Sequence, residues 1–333
     1  MLETTTTVRT DRGSLAASVS RLRGPKDLVF EIEVIDAANI GPREILIETE
    51  FSAISPGTEL AAYVGMAPLR PGPVYPRLMG YCNCGRVIAA GEAVFGVGVG
   101  DRVLTHAAHR SHYRVTMGEV LAIVPPNLDG AQASVTYLFH LGHMAQLRAK
   151  LQAGQRVAVI GLGALGMASI AVARSVGAHV TALSHRSRAF DLAQRFGAHS
   201  TQLLGSGSEI VAEADVVITT ANGWDDWLVA LQAARNGGTI AVLGFPGRGA
   251  GLPLFNPLAS QYFYDKQLTL LAVGYAKQTE LSEYVPFLLD RIAQGRLPAE
   301  AMARHRRPAR ELASAYEDLL ERPQDVLTYV LEW

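Results

Sequence analysis

The chain is nearly without cysteine. Cys82 and Cys84 are the only two in 333 residues. They are too close together for an ordinary structural disulfide and too few for a zinc lobe, which points to a reducing cytoplasm. An excess of one charge is missing too: 30 Lys and Arg face 31 Asp and Glu, a net charge of −1. That leaves no electrostatic footprint for nucleic acid or an anionic membrane. No run approaches the roughly 18 uninterrupted apolar residues of a membrane span. Met1 to Thr10 is Thr-rich and polar and lacks the apolar segment of a secretory signal. Repeats and low-complexity segments are absent as well. What remains is a composition of 49% apolar and 18% charged residues, enough for a full core, in a length that suits two domains.

One stretch organises the rest. Arg156 to Arg174 reads as a buried strand (Val157 to Ile160), a glycine turn and a helix with small residues on its inner face. Gly161 permits a tight turn out of the strand, Gly163 lets backbone approach a diphosphate, and Gly166 lets the helix sit close to the strand. The helix N-terminus offers unpaired N–H groups and a positive dipole end. Gly161, Gly163, Ala164, Leu165 and Gly166 are therefore expected to hold a dinucleotide. A second strand, His179 to Leu183, completes the βαβ unit. The residues that follow it are Ser184, His185, Arg186, Ser187 and Arg188, with no acid until Asp191. A carboxylate at the first of these positions would bind the ribose hydroxyls of NADH. A hydroxyl and two guanidinium groups instead match the extra phosphate of NADPH. Asp215 to Thr220, Gly238 to Gly244 and Leu268 to Gly274 read as further strands. Ligands of such sheets lie beyond the carboxyl ends of the strands, so Thr219, Asn222, Gly244 and Gly274 are expected as additional cofactor contacts.

The segment up to about Pro125 reads as β-rich, with alternating strands at Leu28 to Val34 and Glu44 to Phe51, shorter ones near Gly85, Asp101 and Tyr113, and Gly/Pro turns between them. Ala131 to Lys150 predicts a pair of helices. Gln278 to Gly295 predicts an amphipathic helix packed on the first domain. The basic run Arg304 to Arg307 reads as a solvated loop.

Gly57-Thr58-Glu59, Pro76 to Gly80, Gly85-Arg86-Val87, Gly100 to Val103 and the fingerprint at Gly161 come in the order of the medium-chain dehydrogenase/reductases, which the chain resembles over nearly its whole length. The resemblance implies an α/β protein: a GroES-like β-barrel domain (1–125 and 275–333) and a Rossmann domain with a doubly wound parallel sheet (126–274) that binds NADPH. It also implies a homodimer. Zinc-dependent members supply a Cys before Gly-Thr-Asp, a His in Gly-His-Glu and a third Cys or Glu before the Rossmann strand. Here those places hold Ser55 or Pro56, Tyr81 followed by Cys82, and Gly142-His143, and the four-cysteine structural lobe is missing. No zinc is therefore expected, since a catalytic site needs three such donors. His106, His109 and His112 recur every third residue, but on a loop where a surface or substrate-lining role is expected. Without a metal, protein donors must stabilise the developing anion. The resemblance places Thr58, Tyr81, His140 and His143 around that spot. The reading is a zinc-independent, NADPH-dependent oxidoreductase that transfers hydride to a C=O, C=N or activated C=C bond of a small molecule. The alternatives are an enoyl or quinone reductase proper and a non-catalytic NADPH-binding protein.

Overall fold

The computed structural model describes residues 13–69, 72–205, 209–210, 213–258, 260–274, 278–322 and 326–333; the polar Met1 to Thr10 segment lies outside these. Alternating burial turns the first third into antiparallel strands. β1 (Ser14–Gly24) pairs with β2 (Asp27–Asp36) through Ser14 opposite Asp36 to Gly24 opposite Asp27. Then come β3 (Glu44–Ala53), α1 (Pro56–Tyr63), β4 (Arg77–Leu78), β5 (Asn83–Ala90), β6 (Arg102–Thr105), β7 (His112–Thr116) and β8 (Val120–Ile123). β3 is the hub, antiparallel to both β5 and β7. β1 is a strand that sequence alternation alone did not single out.

Two helices, α2 (Gly130–Ser134) and α3 (Thr136–Arg148), carry the chain to the second sheet, as predicted. There follow β9 (Arg156–Ile160), α4 (Ala164–Val176), β10 (His179–Ser184), α5 (Phe190–Arg195), β11 (Ser200–Leu203), β12 (Ala214–Thr219), α6 (Trp224–Ala233), β13 (Ala234–Val242) and β14 (Thr269–Ala272). Their spatial order is β11-β10-β9-β12-β13-β14, all neighbours parallel. The order reverses between β9 and β12, so the crevice where such a sheet takes a ligand opens at the carboxyl ends of these two strands. This is the expected Rossmann sheet beside the expected GroES-like domain.

The chain then returns to the first sheet. α7 (Gln278–Ala293) buries Leu281, Val285, Leu288, Leu289 and Ile292 in one core shared with α3, α4 and β8. Each such side chain is worth roughly 1.5–3 kcal/mol before its entropy cost. After α8 (Ala299–Met302), β15 (His305–Pro308) pairs parallel with β16 (Tyr329–Glu332), and β16 lies antiparallel on β3. Between them α9 (Leu312–Glu321) buries Leu312, Ala315, Tyr316 and Leu319. The basic run is thus a strand and not a solvated loop. Arg306 pairs with Asp129 and Glu332, and Arg307 with Asp318 while stacking 4.4 Å from the Tyr329 ring centre. No helix among the described residues is long and apolar enough to cross a membrane.

Candidate functional site

At the glycine turn, each glycine meets a different constraint. Gly161 has φ +90°, which an L side chain rarely adopts. A Cβ on Gly166 would stand 1.8 Å from the Gly161 carbonyl oxygen, so only glycine allows α4 this close to β9. At Gly163 a Cβ would meet nothing within 4 Å; this backbone faces open space. The N–H groups of Ala164, Leu165 and Gly166 begin α4 and have no intrahelical acceptors. Turn and helix start together present N–H donors of the kind that bind anions.

Ser184 ends β10, and its Oγ accepts from the Arg186 N–H at 3.1 Å. Arg186 and Arg188 are exposed and make no ion pair among the described residues. His185 is engaged instead: its Nε2 lies 3.1 Å from Asp226 Oδ1. Burial raises the Asp226 pKa, and His185 pulls it the other way. The remaining expected contacts serve the loop ends. Thr219 is 1% exposed, and its carbonyl accepts from the N–H groups of Leu243 and Gly244. Asn222 Oδ1 accepts from Phe245 N–H at 3.0 Å, and its carbonyl from Gly247 N–H at 2.7 Å. A Cβ on Gly244 would strike the Ala221 carbonyl oxygen at 2.7 Å. Gly274, at φ +129°, lies beyond the end of β14, near Leu243.

The GroES-like domain groups several hydroxyl side chains around one cavity. The Tyr81 phenol donates to Ser55 Oγ at 2.6 Å and is also hydrogen-bonded with Thr58. Tyr81 is only 7% exposed. Burial drives its pKa well above the ordinary phenol value, so it stays protonated at neutral pH. Thr58 and Tyr81 line a cavity of about 460 Å³ together with Glu59, Arg77 and Met79. Glu59, in the first turn of α1, holds this corner in place. Its Oε1 accepts from Ser55 N–H at 2.6 Å, and its Oε2 accepts from Tyr316 OH at 2.5 Å and lies 2.9 Å from His109 Nε2. His109 Nδ1 in turn lies 2.8 Å from Ser52 Oγ, which accepts from Trp333 Nε1. Gly80 is required beside it, because a Cβ there would sit 2.6 Å from the His109 ring.

Of the predicted histidines, His140 approaches the cluster from behind and His143 does not reach it. His106, expected as a surface or substrate-lining residue, and Tyr137, which the sequence reading did not name, do reach it. The Tyr137 ring lies 5.6 Å from that of Tyr81, 4.4 Å from His106 and 5.5 Å from His140. The one available signal was the helical spacing of Tyr137 and His140. His140 is fully buried with neither ring nitrogen partnered, and burial lowers its pKa to about 4. A ring that is neutral and sealed from solvent is poorly suited to proton donation. His143 packs against Tyr284 and Phe287 instead.

The donor set does not fit a catalytic zinc ion. A protonated phenol bonded to a serine stands where thiolate and imidazole ligands belong. Gly142 packs on the backbone of Ser169. Cys82 and Cys84 are buried free thiols, and burial pushes that of Cys84 up to about 12. Among the described residues no three His, Cys, Asp or Glu side chains are grouped to hold a metal.

Comparison with known proteins follows this geometry. Residues 164–290 match the zinc-binding dehydrogenase family. L-galactonate-5-dehydrogenase of Escherichia coli is 24% identical, across 88% of this chain and 92% of its own length. L-threonine 3-dehydrogenase of Pyrococcus furiosus is 29% identical, across 66% and 73%. Among solved structures, a putative zinc-binding dehydrogenase from Sinorhizobium meliloti bound to NADP superposes with a TM-score of 0.77 at 19% identity, covering 96% of this chain and 99% of its own.

Proposed function

Because the chain belongs to the medium-chain dehydrogenase/reductase superfamily, we propose that it is a zinc-independent, NADPH-dependent oxidoreductase that reduces a C=O, C=N or activated C=C bond of a small molecule. The observation that carries this reading is the protonated Tyr81 phenol, joined to Ser55 and Thr58 on the wall of a cavity, in the place of metal ligands.

NADPH, when bound, supplies the hydride. The turn from Gly161 to Gly166 would hold its diphosphate, and Arg186 and Arg188 its additional phosphate. Tyr81 keeps its proton at neutral pH and would turn it from Ser55 Oγ to an oxygen or nitrogen that gains negative charge, with Ser55 then donating to the phenol oxygen. The hydroxyls of Ser55 and Thr58 accept from it or donate to it, so they relay a proton at the Tyr81 oxygen. Glu59 and His109 position this set without touching the reacting atoms. Relatives named for L-galactonate and L-threonine support hydroxyl–carbonyl chemistry ahead of C=C reduction. Residues 126–274 would bind the cofactor and 1–125 with 275–333 the substrate, in a cytoplasmic homodimer.

Fluorescence titration with NADPH and NADH, then consumption assays with ketones, cyclic imines, enals and quinones, test the reading. NADPH should bind roughly tenfold or more tightly than NADH. Tight NADPH binding with no turnover of any acceptor would instead favour a binding protein.

A further inference from the structure

Gly244 to Gly251 leaves the end of β13 and crosses to the GroES-like domain. On the Rossmann side, Trp224 Nε1 donates to the Gly251 carbonyl at 2.8 Å, and a Cβ on Gly247 would strike the Trp224 ring at 2.3 Å. On the far side, Gly249 N–H donates to the Ala67 carbonyl, and a Cβ on Gly249 would meet Met66 at 2.7 Å. Arg248 sits between these anchors and is 7% exposed. No other arginine or lysine among the described residues is so buried.

Its surroundings do not match its charge. Nη1 donates to the Gly57 carbonyl at 2.8 Å, and the guanidinium carbon stacks 3.9 Å from the Phe245 ring centre. Nε is buried with no partner. No carboxylate among the described residues lies within ion-pair distance. Partly buried Arg21, Arg102, Arg110 and Arg307 each have one: Glu31, Glu50, Glu33 and Asp318. A lone carbonyl and a ring face are weak compensation for taking a guanidinium out of water. A latch between the domains would need no charge at all. The Gly57 carbonyl that Nη1 binds directly precedes Thr58, so the charge stands beside the hydroxyl corner.

We propose that Arg248 is an anion-binding residue, which receives a carboxylate or phosphate brought into the crevice by the substrate or by the cofactor. Guanidinium forks bind both groups in two-point fashion. The inference builds on the oxidoreductase reading and names the missing counter-charge: one ligand carries an oxyanion within reach of the Gly57 carbonyl. A substrate-borne anion would make acids or phosphate esters the preferred class.

The test uses the full chain, NADPH titration by fluorescence, and inorganic phosphate titration by calorimetry with and without saturating NADPH. A tenfold or greater loss of phosphate affinity in NADPH-saturated Arg248→Gln, with NADPH affinity unchanged, assigns the anion to the substrate. A similar loss of NADPH affinity, with phosphate displaced from the wild type by NADPH, assigns it to the cofactor. Either result upholds the site. Wild-type phosphate and NADPH affinities in a variant that melts like the wild type would overturn it. Should Arg248→Gln be insoluble, Arg248→Lys, which keeps the charge and loses the fork, takes its place with the same readings. A wild-type protein that binds no NADPH sinks the oxidoreductase reading alone, since phosphate binding lost in the variant still upholds the anion site.

Discussion

Two side chains near the crevice have opposite relations to the proton. Tyr81 is buried and protonated with hydroxyl partners, and is the donor in the proposed chemistry. Tyr81→Phe should lower kcat by about 100-fold while leaving NADPH affinity unchanged, as loss of one preorganised donor does. Steady-state kinetics beside a cofactor titration would check this, and an unchanged kcat removes Tyr81 from the reaction. His140 is buried and neutral. His143 and His106 lower its pKa further and Glu280 opposes them, but burial dominates. Because the folded value is lowered to about 4, the unfolded chain binds a proton near pH 6.5 that the folded chain refuses. Stability from this group is therefore whole above pH 6.5 and falls as the pH drops toward 4, by up to about 3 kcal/mol. His140→Leu should flatten the pH dependence of denaturation across that window, and identical slopes in the two proteins would contradict this account.

At the scale of the element, the proposed reading places the additional phosphate of NADPH at the turn from β10 into α5. Arg186 and Arg188 stand exposed beside Ser184 with no acid partner among the described residues, while His185 is held by Asp226. Replacing both arginines by Ala should raise the Kd for NADPH by roughly 10- to 100-fold and leave NADH binding within twofold. Equal losses for the two cofactors would mean that the turn does not read the additional phosphate. This turn and the glycine turn were legible in the sequence because their constraints are local: a positive φ, a close approach, a missing acid. α3 and α7 were legible from apolar spacing. β1 was not, because its inward Leu15, Ala17 and Val19 alternate with Ser and Ala, which read equally well as loop. The His305 to Pro308 strand was hidden for a related reason, since the charges of Arg306 and Arg307 are met by Asp129, Glu332 and Asp318 on other elements. Nothing local marks Arg248, and the spacing that picks out His106 and Tyr137 does not say what they touch, because their neighbours are set by packing.

For the whole molecule, the lack of a fitting donor set among the described residues makes a simple claim. Purified protein should contain zinc at well below one ion per chain, and chelator should leave its rate unchanged; stoichiometric metal, or activity lost to chelator and restored by zinc, would refute it. The two sheets also differ in how far apart in the chain their strands lie. The Rossmann sheet uses one continuous stretch, Arg156 to Ala272, whereas β3 pairs with β16, some 280 positions on, and Trp333 reaches back to Ser52. Distant pairings cost more loop entropy and form later. As the chain is made, the cofactor half has its strands in hand while the hydroxyl corner, tied through Ser52, His109 and Glu59 to the closing segment, is still unsupported. A half-made molecule of this kind would grasp its coenzyme before it acquired any means of spending the electrons.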